Sequence, residues 1–334
     1  MELLYQFGIL MLLATAFGFV LKRLNVPLLV AYILSGIVFG ILFPKETINI
    51  EIIGSLAQVG LLLIAFEIGA SIRWSFLKKE GLKLGIIVLA EFFIVAFLTL
   101  LFGLIFKLPK EFLILLVLFA MNTSSAIAFK ILEDKKFSRE LDEKSIKTLF
   151  GISAMEDLFI IIAISILLLF FTSKNIDVSY VVYDVFHLII SFIAIVIFSL
   201  LIVRGLINRL PYDDEILLLL GFSFILFFSW FANNLGLSML LGAFVAGLVF
   251  SETKVSQTFL ERAKWIREVF GFLFFSYIGL IFPTDVNFSL LLIGVVVTLL
   301  IVFLKFVAFS FSLWITEGYK LENAVKLGTY MIAI

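Results

Sequence analysis

The sequence predicts an all-α polytopic membrane protein, on three observations. The chain is too apolar for water: 63% of its 334 residues are hydrophobic and 15% are charged, against roughly 25% charged in a typical soluble domain. The apolar residues fall into twelve runs, most of them near the ~20 residues that a helix needs to cross a hydrocarbon core. Lys and Arg crowd into alternate loops, as the positive-inside rule demands of a chain threaded back and forth through a bilayer.

The runs, bounded by charged residues or by Gly, Pro and Asn breaks, are 4–21, 27–43, 52–70, 82–106, 112–132, 146–171, 182–207, 215–232, 236–251, 269–282, 288–315 and 321–334. Two of them, 236–251 and 269–282, are short for a span. All five prolines (27, 44, 109, 211 and 283) fall at run ends, where a residue without an N–H does least harm to a helix. With the run-end residues Lys83, Lys130, Lys147, Arg204 and Lys326 counted to their adjoining loops, loops after odd-numbered runs hold 20 Lys and Arg; those after even-numbered runs hold four, Lys45, Lys107, Lys110 and Lys174. One miscounted span would scramble that alternation. The expectation is a multi-pass protein of the cell membrane, with the N-terminus outside and the odd-numbered loops cytoplasmic. The opening MELLYQF carries an acid where a signal peptide carries positive charge, so no cleaved leader is expected.

Composition also excludes function classes. A net charge of zero argues against a nucleic-acid partner. With no Cys, disulfides, thiol chemistry and Cys-based metal sites are ruled out together. A single His187 cannot build a histidine cluster, and its place at the start of a run suggests the membrane interface.

The stretch TLFGISAMEDLFIIIAISI (148–166) sets Glu156 beside Asp157 inside an apolar run. An acid at the centre of a membrane helix costs about 2.5–3.5 kcal/mol. Neighbouring helix positions point ~100° apart, so one acid can face an aqueous cavity while the other pairs with a cation on another helix. The basic residue left over from the loops is Lys305, in IVFLKFVAF. Asp157 lies 12 residues from the cytoplasmic start of its run near Ser145, and Lys305 lies 10 residues short of Ile315. At ~1.5 Å per residue both sit about 15–18 Å deep, near the bilayer midplane. The same level holds Asn122–Ser125 in MNTSSAIAF. Such side chains compete for backbone hydrogen bonds, and broken helix is tolerated in a bilayer only where it lines a cavity or packs on protein. Broken helices meeting ionisable groups at mid-depth mark ion-coupled secondary transporters. With Lys305 protonated and both acids ionised the cluster carries net −1, suited to one monovalent cation or one proton.

The candidate ion and proton site is therefore Asp157, Glu156, Lys305, Asn122, Thr123, Ser124 and Ser153. A structural salt bridge between Lys305 and one acid is the competing reading, and it leaves the second acid unexplained. Asn122–Ser125 can equally join helices by polar contacts. Glu67 is expected to reach the interface. Glu91, about ten residues into its run, has no evident partner and stays open between a dimer contact and an accessory proton site.

Several stretches resemble one family. They are LLATAFGFVLKRLNVPLLVAYILSGIVFG (12–40), GLLLIAFEIG (60–69), NTSSAIAFKILED (122–134), GISAMEDL (151–158), LGLSMLLGAFVAGLVFSE (235–252) and FLFFSYIGL (272–280). Together they resemble the second cation–proton antiporter family of sodium/proton and potassium/proton exchangers. The resemblance implies an inverted-repeat antiporter fold with discontinuous crossing helices, about 12 of an expected 13 spans being present. It implies one transporter domain over 1–334: a dimer scaffold of 1–70 and 215–282, a linker helix over 182–207, and an ion-transporting core of 82–171 and 288–334. Asp157 matches the acid that binds ion and proton, a transient Na+ being its only metal. Glu156 and Lys305 match a pair beside it. Transport would follow an elevator motion of the core, with no cofactor beyond the transported Na+ or K+ and H+. The implied partners are the lipid bilayer, a second copy in a homodimer and a cytoplasmic regulatory domain outside this chain.

Two departures matter. Position 156 holds Glu where electrogenic members hold Asp. The sequence closes on KLGTYMIAI, within the family's second broken helix, so the expectation is a C-terminally truncated member impaired on its own. Potassium/proton efflux is the rival reading, and a non-transporting sensor or remnant on the same scaffold is the third. An intramembrane hydrolase would need a Ser–His pair or separated aspartates, which the lone His187 and the adjacent acids do not offer.

Overall fold

The computed structural model describes all residues except 1–2, 25, 44–47, 72–73, 122–148, 150, 154, 157–158, 161–162, 164–177, 204–212, 284–287, 318 and 333–334. Among the described residues there is no strand. The helices are α1 (Leu3–Arg23), α2 (Leu28–Leu42), α3 (Ile50–Ser71), α4 (Trp74–Phe106), α5 (Lys110–Met121), α6 (Val178–Ile202), α7 (Asp214–Asn234), α8 (Met239–Phe250), α9 (Ser256–Leu280), α10 (Phe288–Glu317) and α11 (Leu321–Ile332). Further helical residues between 149 and 163 follow the run that carries Glu156. Among the described residues, five helices are long and apolar enough to cross a membrane by length and composition: α1, α3, α4, α7 and α10.

Pro27, Pro109 and Pro283 lie outside the helices. Two runs are extended by polar residues. α4 begins eight residues before its run, with Lys78, Lys79 and Lys83 in its first turns. The run 269–282, which looked too short to span, belongs to a 25-residue helix, α9. Its first half carries Glu261, Arg262, Lys264 and Arg267. Backbone hydrogen bonding does not stop where charge begins, so an apolar-run boundary marks the edge of the greasy solvent and not the end of the helix.

The chain divides into two compact units, each assembled from an N-terminal and a C-terminal stretch: Met1–Ser71 with Phe186–Asn287, and Ile72–Val185 with Phe288–Ile334. In the first unit α3 packs on α8 and α9, α9 on α2, and α7 on α8. Every residue of α8 from Leu241 to Phe250 is buried. So short an all-apolar helix is stable there because Ser238 Oγ accepts from Leu241 N at 3.2 Å, capping its first turn, and because its neighbours come within backbone contact. A Cβ on Gly247 would overlap the Phe66 carbonyl, and one on Gly69 the Phe244 carbonyl. Membrane helices, which gain little from apolar burial against each other, associate through such close packing. Phe66, Phe224, Phe250 and Phe259 close the layer with ring centroids 5.2–5.9 Å apart. Gly236, at φ +76°, makes the left-handed turn between α7 and α8.

Charged pairs bind helix ends of this unit. Arg267 on α9 pairs with Glu67 on α3, and Arg262 Nη2 lies 2.7 Å from Asp214 Oδ2 at the start of α7. The C-terminal end of α3 and the N-terminal ends of α7 and α9 thus share one side.

The second unit is built on α4 and α10, which pack along each other, with α5 and α11 against α10. Leu84, Ile87, Val88, Ile152, Leu304 and Phe309 form its core. The opposite face of α10, with Leu292, Val295, Val296 and Leu299, is exposed. An apolar face of that extent suits lipid.

Candidate functional site: a buried lysine between two carboxylates

Lys305 sits in the apolar heart of the second unit, 5% exposed, between Leu304 and the buried Ala308 and Phe309 of α10. Its ammonium has three N–H donors and no acceptor. It donates to Glu156 Oε2 at 3.0 Å and to the backbone carbonyl of Met121, on α5, at 3.1 Å. Glu91 Oε1, on α4, lies 3.7 Å away, an ion pair just beyond hydrogen-bonding range. Both carboxylates are fully buried, and Glu91 and Glu156 feel each other's charge. Four segments converge on one nitrogen.

Each contributor arrives by a simple device. α4 and α10 pack along their apolar sides, and Glu91 and Lys305 occupy the facing positions amid Ile87, Val88, Leu304 and Ala308. Glu156 reaches the same point from a helical stretch whose Ile152 and Ser153 are also buried. Ser153 Oγ finds no hydrogen-bond partner among the described residues. It is one helical turn before Glu156, on the same face.

The structure brings together Glu156 and Lys305 of the residues singled out from sequence. Asp157, Asn122, Thr123 and Ser124 lie outside the described residues. His187 is exposed on α6. Glu91, left open by sequence, lies against Lys305 together with Glu156, a carboxylate that the net −1 count from sequence did not include. The signal was present in the depth arithmetic. Ten residues into its run is about 15 Å along a helix, the level expected from sequence for Asp157 and Lys305.

One ammonium shared by two buried carboxylates is costly as scaffolding, because the desolvation of buried ions can exceed their attraction. In an all-helical apolar chain, such intramembrane charge belongs to the class of ion-coupled membrane transporters. The chain belongs to the sodium/hydrogen exchanger family: residues 8–334 match the family profile described as "Sodium/hydrogen exchanger, transmembrane". This places it with transporters and not with enzymes.

Individual relatives agree at low identity. The chain is 24% identical to the probable Na(+)/H(+) antiporter GerT of Bacillus cereus, over 98% of this chain and 87% of that protein. It is 25% identical to K(+) efflux antiporter 5 of Arabidopsis thaliana, over 84% of this chain and 50% of the relative, and 23% identical to a Na(+)/H(+) antiporter of Enterococcus hirae, over 84% and 72%. It therefore spans nearly all of one relative's length and half of another's. The solved structure of the sodium proton antiporter MjNhaP1 from Methanocaldococcus jannaschii shares the fold, with a TM-score of 0.69 at 18% identity over 98% of this chain and 82% of that one.

Proposed function

We propose that this protein exchanges a monovalent cation, Na+, for protons across the cell membrane. The observation that carries the reading is the Glu156–Lys305 pair, at 3.0 Å and out of contact with solvent, one residue from Asp157. Asp157 is the competitive site: a carboxylate takes up either a proton or a cation, and that competition is what couples the two fluxes. Glu156, Lys305, Asn122 and the hydroxyl residues Thr123, Ser124 and Ser153 are assigned to the same site on the sequence reading. The first unit serves as the dimer scaffold, with a linker helix over 182–207, and the second as the transporting core, moving by elevator-like alternating access. The interleaving of N- and C-terminal stretches in both units supports that division. The N-terminus lies outside and the odd-numbered loops face the cytoplasm. The shared side of the α3, α7 and α9 ends is in keeping with this, since all three border odd-numbered loops.

Potassium/proton exchange is the second reading, because the relatives include both Na(+)/H(+) and K(+) antiporters. One experiment separates them. Everted vesicles carrying the full-length protein are acidified, and a pH-sensitive dye follows proton exit on addition of sodium, then potassium. The expected result is a sodium response that D157N abolishes. A response to potassium alone selects the second reading. No response to either ion, with protein present in the membrane, refutes antiport.

A further inference from the structure

We propose that Glu91 is the alternative ionic partner of Lys305, and that the lysine passes between Glu156 and Glu91 when a cation enters. The inference rests on the antiport reading and assigns Glu91 a positioning role within it.

The geometry is that of a two-position contact. Lys305 Nζ is hydrogen-bonded to Glu156 Oε2 at 3.0 Å, while Glu91 Oε1 waits at 3.7 Å. A shift of about 0.7 Å, the difference between those distances, exchanges the partners. Flexible four-carbon stems make such movements easily. Met121 O, at 3.1 Å, holds the ammonium in place through the exchange. Among the described residues neither Glu91 oxygen has a hydrogen-bond partner, so this fully buried carboxylate is available to receive one. It is fully buried inside the second unit, not at a surface where a dimer contact would form.

The exchange solves an energetic problem. Freeing Glu156 for a cation near Asp157 would strand a buried ammonium, and an unpaired buried charge is heavily penalised. Glu91 keeps Lys305 paired, so Glu156 is released without that penalty and the cation binds more tightly. The lysine stays between Glu156, Glu91 and the Met121 carbonyl and never faces apolar surroundings alone.

The test uses purified full-length protein and a readout independent of transport: the cation concentration giving half-maximal thermal stabilisation, with choline replacing sodium or potassium at constant ionic strength. E91Q keeps the shape and loses the charge; E91D keeps the charge. The expected result is a half-saturating concentration about tenfold higher in E91Q and within about threefold of wild type in E91D. An unchanged value in E91Q overturns the exchange and leaves the antiport reading intact. Absence of any sodium or potassium effect on the wild-type protein overturns the cation site and the exchange with it. If E91Q does not fold, infrared difference spectra of the wild-type protein between sodium and choline decide. Two carboxylates changing in opposite senses support the exchange, and a change confined to one overturns it.

Discussion

At Lys305 one ammonium faces two carboxylates that it cannot neutralise together. Removing it, as in K305M, leaves Glu91 and Glu156 buried without a cation. Breaking a buried ion pair from one side costs about 3–5 kcal/mol, so K305M is expected to melt well below wild type in detergent and to lose cation-driven proton flux in vesicles. A wild-type melting temperature would show that the cluster contributes nothing to folding. Ser153 gives a milder case. Its buried hydroxyl has no hydrogen-bond partner among the described residues, so S153A removes an unpaired polar group and should not lower the melting temperature; a change in cation dependence without a loss of melting temperature would tie the hydroxyl to the ion. Depth arithmetic put the adjacent acids at the level of Lys305, and the family resemblance implied that Glu156 is the one paired with it. Glu91 yielded to the same arithmetic, but nothing in the sequence says which way a side chain at that depth points.

Among the helices, contact is set by what is missing from them. Gly69 and Gly247 let α3 and α8 touch through their backbones. G247L forces a side chain into the Phe66 carbonyl and should destabilise the protein by about 3 kcal/mol or more, since overpacking costs about 1–3 kcal/mol even where side chains can yield. G294L is the control: nothing lies within 4 Å of a Cβ there, and its melting should match wild type. The ion pairs behave differently. Arg262 and Asp214 have side chains 58% and 53% exposed, and exposed pairs contribute roughly 0–1 kcal/mol, so R262A is expected to shift melting little. Helix boundaries were legible from apolar runs except where polar turns prolong the helix, as in α4 and α9. Charge at a helix end is compatible with helix and with loop alike, and tertiary contact chooses, here through Phe259 and Ala263, buried in the polar half of α9.

For the whole chain, the absence of cysteine offers a direct test of threading. Single substitutions K110C and K254C place one thiol each at exposed positions in an even- and an odd-numbered loop. A membrane-impermeant maleimide should label K110C in intact cells and K254C only in everted vesicles; the opposite pattern inverts the orientation. The sequence by itself determined the solvent, the alternation of basic loops and the family, because hydropathy, charge and motif are local properties that add along a chain. Only the tertiary structure decided that Glu91 shares Lys305 with Glu156 and that a greasy twelve-residue helix is buried on all sides. Those outcomes depend on which helix faces meet, and a hydrogen bond of 3.0 Å against a gap of 3.7 Å is a difference in packing that no one-dimensional pattern records.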